Sequence, residues 1–153
     1  MRYIFFLGFL IILFAACKKN KFTTIPQIKF KSVKPNTAFS NIPVNQQEIP
    51  VLTIHVTDAE GDLGSRPGSD TSYAVIKNLT TGKIDSLRLP DIQQAGTKNF
   101  EGDISITLSS FLGASSRPRP KTDTLYFEVY IKDFAKNKSN VIRTDDPVYY
   151  ISP

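Results

Sequence analysis

The chain has 153 residues, with 19 lysines and arginines against 14 aspartates and glutamates, and a formal net charge of +5. Its single cysteine excludes an intramolecular disulfide, so the fold depends on the packing of a hydrophobic core. The basic excess does not indicate a nucleic-acid partner, because six lysines and no acid lie between residues 18 and 34. Beyond residue 34, 12 basic side chains face 14 acidic ones, without a basic patch interleaved with aromatic residues.

The N-terminus has the pattern of an export signal. A short basic start, Met1-Arg2, precedes residues 3–14, which contain no charge. The apolar stretch ends at Ala16 and is shorter than the roughly 20 residues that a membrane-spanning helix needs. We therefore predict that residues 1–16 are a cleaved signal peptide.

The four residues that end this segment, Phe14-Ala15-Ala16-Cys17, resemble the lipobox of bacterial lipoproteins. The resemblance implies cleavage before Cys17, a diacylglyceryl thioether on its sulfur, and a fatty acid such as palmitate on the new N-terminus. It also implies an anchor in the cell envelope, and we expect the outer membrane of a Gram-negative bacterium because Lys18 is not the aspartate that marks inner-membrane retention. The alternatives are a plain signal peptide with a bystander thiol, or a buried structural cysteine.

Residues 17–25 are predicted to form a lipidated basic linker. Its lysines either contact anionic lipid head groups, at about 1 kcal/mol per charge, or belong to a solvated tether.

Residues 26–153 are predicted to form one all-β domain. Apolar and polar residues alternate, as in strands with one face on a core, along residues 51–58, 103–110 and 124–133. A hairpin is predicted at Gly82, and shorter strands at 28–33, 140–144 and 148–151. No stretch keeps a helical period for three turns. We therefore expect an antiparallel sandwich of about seven strands, with a small closed barrel as the alternative.

Two polar loops resemble turns of bacterial immunoglobulin-like and cadherin-like domains. The first resembles the D-x-D-G-D-L-G loop of exported immunoglobulin-like lipoproteins through Asp58, Glu60, Gly61, Asp62, Leu63 and Gly64. The second resembles their D-x-x-G-N-x-S turn through Asp133, Asn137 and Ser139, with Lys136 in place of the glycine. The resemblance covers roughly residues 26–151. It implies an immunoglobulin-like fold in which both loops lie at one end.

The acids of these loops form a candidate calcium site in the loop between the second and third strands. Asp58, Glu60 and Asp62 alternate in sequence, and such carboxylates can converge on calcium when a glycine lets the loop curl. In an immunoglobulin-like fold, Asp133 and Asp70 would approach them. The loop lacks the glycine and glutamate positions of an EF-hand, so the expected affinity is on the order of 0.1–1 mM. The alternative is that Asp58 and Asp133 accept hydrogen bonds from loop backbone groups at strand ends.

Three further features have both a structural and a functional interpretation. Tyr126 and Tyr130 are predicted on the outward face of a strand, where sugar-binding modules place aromatic platforms, unless a loop or second layer covers them. His55, the only histidine, is predicted on a water-facing position without a partner for zinc binding or catalysis. Residues 115–121 are predicted to be a rigid surface crossover, with binding of an acidic partner by its three cations as the alternative.

No catalytic constellation is recognisable, so we do not expect an enzyme. The pattern favours a lipid-anchored, non-catalytic module for binding, adhesion or scaffolding at the cell envelope, with a protein or glycan as its partner. One alternative is a structural subunit of a surface complex that recognises its partner by edge-strand addition. Another is a metal-dependent hydrolase that uses Asp58, Glu60 and Asp62.

Overall fold

The computed structural model of the protein describes residues 21–65, 71–90, 92 and 98–153. The predicted signal peptide, the lipidation site Cys17 and the candidate ligand Asp70 lie outside these residues. Within the described part of the chain, no helix combines the length and the hydrophobicity that crossing a bilayer requires.

The described residues form ten strands and two single-turn 3-10 helices. The strands are β1 (Gln27–Lys34), β2 (Thr37–Phe39), β3 (Val51–Asp58), β4 (Tyr73–Asn78), β5 (Ile84–Arg88), β6 (Phe100–Thr107), β7 (Lys121–Leu125), β8 (Phe127–Lys132), β9 (Ile142–Arg143) and β10 (Val148–Ser152). The helical turns are Val44–Gln46 and Ser109–Phe111. The prediction of an all-β chain is confirmed. The strand count exceeds the predicted seven in part because the short β2 was not predicted and the stretch 124–133 is split at Tyr126.

The strands form three sheets. The back sheet has the order β1-β3-β6 and is antiparallel, whereas the front sheet has the order β5-β4-β8-β9 and is also antiparallel. The third sheet has the order β2-β10-β7, and within it β2 runs parallel to β10, contrary to a purely antiparallel arrangement. Because only Tyr126 separates β7 from β8, the front and third sheets share one nearly continuous stretch of chain.

Alternation along the strands builds the core. In β3, Leu52, Ile54 and Val56 are fully buried, whereas Thr53 and His55 between them are partly exposed. The same pattern buries every second residue of β8, namely Phe127, Val129 and Ile131. The buried residues of all three sheets form a single cluster. Truncating a large member such as Phe127 to alanine would cost about 3–5 kcal/mol.

The predicted hairpin turn is present between β4 and β5. Gly82 has a φ of 74°, a left-handed conformation that favours glycine. The turn is closed by Asn78, whose carbonyl accepts a hydrogen bond from the Gly82 N–H and whose side chain accepts from Thr80 and Thr81. The hairpin positions β5 at the edge of the front sheet.

The chain just before β1 contacts the back sheet. Thr23 accepts a hydrogen bond from the Ala59 N–H at 3.0 Å, and Lys21 forms a 2.5 Å ion pair with Glu101 of β6. Residues 21–25, which the sequence assigns to the linker, therefore lie against the domain in part.

Candidate functional site

The first polar loop begins at Asp58, the last residue of β3. Its side chain is fully buried, and its Oδ2 accepts hydrogen bonds from the backbone N–H groups of Gly61 at 2.6 Å and Asp62 at 3.3 Å. Gly61 has a φ of 65°, which lets the chain curl back over the carboxylate. Asp58 thus closes its own loop by accepting backbone hydrogen bonds at the end of a strand, which is the alternative to calcium binding.

The second polar loop is closed in the same way by Asp133. This fully buried carboxylate accepts the backbone N–H of Asn137 at 2.7 Å on Oδ1 and the Asn137 side-chain amide at 2.8 Å on Oδ2. Lys136 adopts a φ of 70° in this turn, at the position where the similar family motif has glycine. The Asp133 carboxylate is therefore occupied by bonds within its own turn.

Asp62 joins the two loops, which meet as the sequence predicts. Its backbone carbonyl accepts hydrogen bonds from the Phe134 N–H at 3.0 Å and the Ser72 hydroxyl at 3.3 Å. Its Oδ2 lies 3.4 Å from the backbone nitrogen of Ala135. The next residue, Leu63, is fully buried in the core and fixes the loop to the domain.

Where these loops meet, no ion pair among the described residues involves Asp58 or Asp62. Oδ1 of Asp58 and Oδ1 of Asp62 are both buried, and neither has a hydrogen-bond partner in the described part of the chain. Burial, with the neighbouring Asp62 charge adding to it, raises the pKa of Asp58 to about 6. Burial and then the Asp133 charge also raise the pKa of Asp62. The pair therefore favours a shared proton until the pH approaches neutrality.

The described residues offer few free carboxylate oxygens for calcium. Among them, no three His, Cys, Asp or Glu side chains are arranged as metal ligands. Glu60 is exposed, and both Asp133 oxygens are engaged by Asn137, which leaves one free oxygen each on Asp58 and Asp62. Calcium takes six to eight oxygen ligands. Since Asp70 lies outside the described residues, the calcium site stays a prediction.

The second candidate site is the outer surface of the front sheet, which we call the tyrosine face. Tyr126 and Tyr130 are both half-buried there. A cationic side chain lies over the face of each ring. The Arg143 guanidinium lies 4.6 Å from the Tyr126 ring centre, and the Lys138 ammonium lies 4.1 Å from that of Tyr130.

A third ring–cation pair on this face escaped the sequence reasoning. Lys136 lies 5.4 Å from the ring centre of Tyr73, which shares the outward row of residues with Lys132 and Arg88. These side chains lie together because of the register between strands, and the pattern within a single strand does not predict their proximity. The signal was the presence of Lys136 and Lys138 in a turn that follows a tyrosine-bearing strand.

A shallow groove of about 160 Å³ runs beside Tyr130 on the tyrosine face. It is lined by Val75, Lys77, Ile84, Glu128, Tyr130, Lys138 and Val141. Ile84 and Val141 are 62% and 50% exposed, so apolar surface stands open to water beside the cations. The groove thus offers both apolar contact and positive charge.

The outer surface of the back sheet has a different electrostatic arrangement. His55 lies between two carboxylates, with Nδ1 2.8 Å from Asp103 and Nε2 3.2 Å from Glu101. Lys31 forms a 2.7 Å ion pair with Asp103, and this contact, followed by His55, lowers the pKa of Asp103. Lys21 in the same way lowers the pKa of Glu101. His55 on β3 therefore contacts two acids of β6, a cross-strand arrangement that the sequence analysis did not predict.

No protein-family model, no curated protein and no solved structure matches the chain.

Proposed function

We propose that the protein is a lipid-anchored, non-catalytic binding module of the cell envelope, built on an immunoglobulin-like sandwich. The observation that carries the binding role is the tyrosine face, where cations stand over aromatic rings beside open apolar surface. Aromatic residues and arginine are the types enriched at recognition surfaces.

The strand order supports the immunoglobulin-like part of the proposal. The series β2-β10-β7/β8-β4-β5 corresponds to strands A′-G-F-C-C′ of such domains, and β1-β3-β6 corresponds to A-B-E. The Asn140 side chain ties the two sheets by accepting from the Ile28 N–H at 2.7 Å and donating to the Ile28 carbonyl at 2.9 Å.

The acidic loops support a structural rather than a hydrolytic role. Asp58 is fully buried, so its carboxylate has no open route to a substrate bond. Glu60, the exposed acid of the trio, shares no hydrogen bond with Asp58 or Asp62 in the described structure. The hydrolase alternative needs these groups to converge on one accessible point.

The anchor would place the tyrosine face away from the membrane. Lys21 contacts Glu101 on the outer surface of the back sheet, and only four residue steps separate it from Cys17. At about 3.8 Å per step, the Cα of the lipidated residue would lie within about 15 Å of the Lys21 Cα. The outer surface of the front sheet would then point away from the membrane and be exposed to solvent.

Metabolic labelling with a fatty acid tests the anchored part of the proposal. The wild-type chain should incorporate the label and remain in the membrane fraction, whereas the Cys17→Ser variant should do neither. A labelled, membrane-bound Cys17→Ser chain would contradict the proposal.

A further inference from the structure

We propose that the tyrosine face binds an acidic polysaccharide through cations that its own tyrosine rings hold in place. This inference rests on the proposed binding role and adds the chemical class of the ligand. The contact surface consists of Tyr126, Tyr130, Lys138, Arg143, Val75 and Ile84.

The rings position the cations but leave their charge available. A cation–π contact at an exposed site orients an ammonium or guanidinium group without neutralising it. Among the described residues, neither Lys138 nor Arg143 has a carboxylate within 4.0 Å. Neither charge is therefore held in an ion pair, although Glu128 stands opposite Arg143 in the strand register.

The whole face carries an excess of positive charge. The strand register and ring contacts place six cations on it, namely Lys77, Arg88, Lys132, Lys136, Lys138 and Arg143. Glu128 is the acid that the same register brings to this surface, and it lies 3.9 Å from Lys77. On the back sheet, by contrast, Lys21 and Lys31 are paired with acids. A surface of one sign attracts ligands of the opposite sign and speeds their association.

The arrangement repeats, which favours a repeating ligand. Tyr126 and Tyr130 are four residues apart, or roughly 13 Å along the chain direction, and each has its own cation. Tyr73 with Lys136 gives a third unit of the same kind. A linear polymer with a regular series of acid groups can contact several such units at once, and this raises its avidity.

The position of the cations favours a polysaccharide over an acidic peptide. An extended peptide docks best along a strand edge, where its backbone completes the ladder of hydrogen bonds. Here the rings and cations lie on the face of the sheet, around a groove with exposed Ile84 and Val141. Sugar rings present apolar C–H surface to such a groove while their carboxylates reach the cations.

The test uses the full-length chain, purified from membranes in detergent, and measures binding to immobilised polygalacturonate. We expect the double variant Lys138→Gln/Arg143→Gln to bind roughly tenfold more weakly, because two surface charge contacts are lost. The double variant Lys29→Gln/Lys34→Gln removes the same charge from the exposed side of β1 and should bind like the wild type. Tyr130→Leu, which keeps apolar surface but releases Lys138, should weaken binding by a smaller factor.

Four results would overturn the inference. Poly-glutamate bound as tightly as polygalacturonate would mean that the face accepts polyanions or acidic peptides in general. An equal loss in the Lys29/Lys34 variant would show that net charge alone is responsible. Binding of neutral dextran as tight as that of polygalacturonate, or no polygalacturonate binding, would remove the acidic sugar as ligand. Fatty-acid labelling of Cys17 would still succeed in these cases, so failure of the ligand class is distinguishable from failure of the anchored module.

Discussion

Asp123 and Asp58 are both fully buried aspartates, but their surroundings move their pKa values in opposite directions. Burial alone would raise the pKa of Asp123, yet hydrogen bonds from Ser115 and Arg117 outweigh it and hold that pKa well below its usual range. Arg117 donates to Asp123 at 2.6 Å, and the Lys121 ammonium lies at 3.8 Å. Burial, with the like-charged Asp62 adding to it, raises the pKa of Asp58 to about 6, because the backbone hydrogen bonds that it accepts do not outweigh these effects.

The opposite pKa shifts of Asp123 and Asp58 show that the two regions treat a buried negative charge differently. Residues 115–121 form a mostly exposed connection that leads into β7, and Arg117 and Lys121 in it neutralise Asp123 within the domain. Lys121 also donates to the Ser115 carbonyl. The Asp58–Asp62 pair, by contrast, keeps two buried oxygens without donors, and its ionisation works against the folded state. One buried acid stabilises the fold when charged, and the other when protonated.

The largest expected effect is that of Asp123→Ala. It leaves the Lys121 ammonium, whose side chain is 7% exposed, without its carboxylate, and breaking a buried pair costs about 3–5 kcal/mol. We expect a loss of about 3 kcal/mol in the free energy of unfolding by denaturant at pH 7. Because the pKa of Asp123 is lowered, its contribution is present above about pH 4 and is lost below, so the cost of Asp123→Ala should shrink as the pH approaches 2.

The exposed Asp146 gives a matched control, since Asp146→Ala should change the free energy of unfolding by less than about 0.5 kcal/mol. A cost of Asp123→Ala no larger than that of this control would contradict the stabilising role of the Asp123 cluster.

The second expected effect is a pH dependence of opposite sign. A raised carboxyl pKa means that the folded state binds the proton more tightly than the unfolded state, so stability falls as the pH rises from about 4 through 6. The shift of Asp58 from 3.8 to about 6 corresponds to a change on the order of 2–3 kcal/mol across that window. Asp58→Asn removes this titration, and its amide can donate to Asp62. We therefore expect the variant to be at least as stable as the wild type at pH 7, with a flatter profile.

Thermal midpoints measured from pH 4 to pH 8 check this prediction. Glu60→Gln, which alters an exposed acid in the same loop, should keep the wild-type profile. If Asp58→Asn showed the full wild-type decline between pH 4 and 7, another group would have to be its source.

The features that lie within one strand or one turn can be predicted from the sequence. Alternation identifies the buried side of β3 and β8, and the acid–glycine pattern after Asp58 indicates the loop that this side chain closes. The meeting of this loop with the turn after Asp133 follows from the family resemblance.

The remaining contacts depend on register between distant strands. His55 lies 48 residues from Asp103, and the two meet because β3 pairs with β6. The cations over Tyr126 and Tyr130 come from β9 and from the turn before it. No local pattern specifies which side chains stand opposite one another, because register is set by the packing of the whole core.

A third, smaller effect concerns the turn that places Asp133 beside Asp62. Lys136 holds a φ of 70°, which costs a residue with a Cβ roughly 1–2 kcal/mol. Comparison of Lys136→Gly with Lys136→Ala isolates this backbone strain, since both lose the contacts of the ammonium with Thr71 and Tyr73. We expect the glycine variant to be more stable than the alanine variant by about 1 kcal/mol in denaturant unfolding. Equal stability would mean that the turn relaxes away from this conformation, and Asp133 with it.

The smallest expected effect is that of added calcium on the thermal midpoint. It tests whether a bound cation can neutralise Asp58 and Asp62, as Arg117 and Lys121 neutralise Asp123. At about 5 mM, a site with a dissociation constant of about 0.5 mM would contribute about 1.4 kcal/mol and raise the thermal midpoint by several degrees. We expect a shift below about 1 °C at pH 7, because the described residues leave only two free carboxylate oxygens.

A larger shift, absent with magnesium and absent in Asp58→Asn, would establish the calcium site predicted from the sequence. It should also weaken at pH 5, where protons compete for the same oxygens. Without such a shift, the ion that balances the Asp58–Asp62 pair is the proton. The two loops are then held together most firmly below neutral pH, whereas the Asp123 cluster, with its own cations, stays intact across the same range.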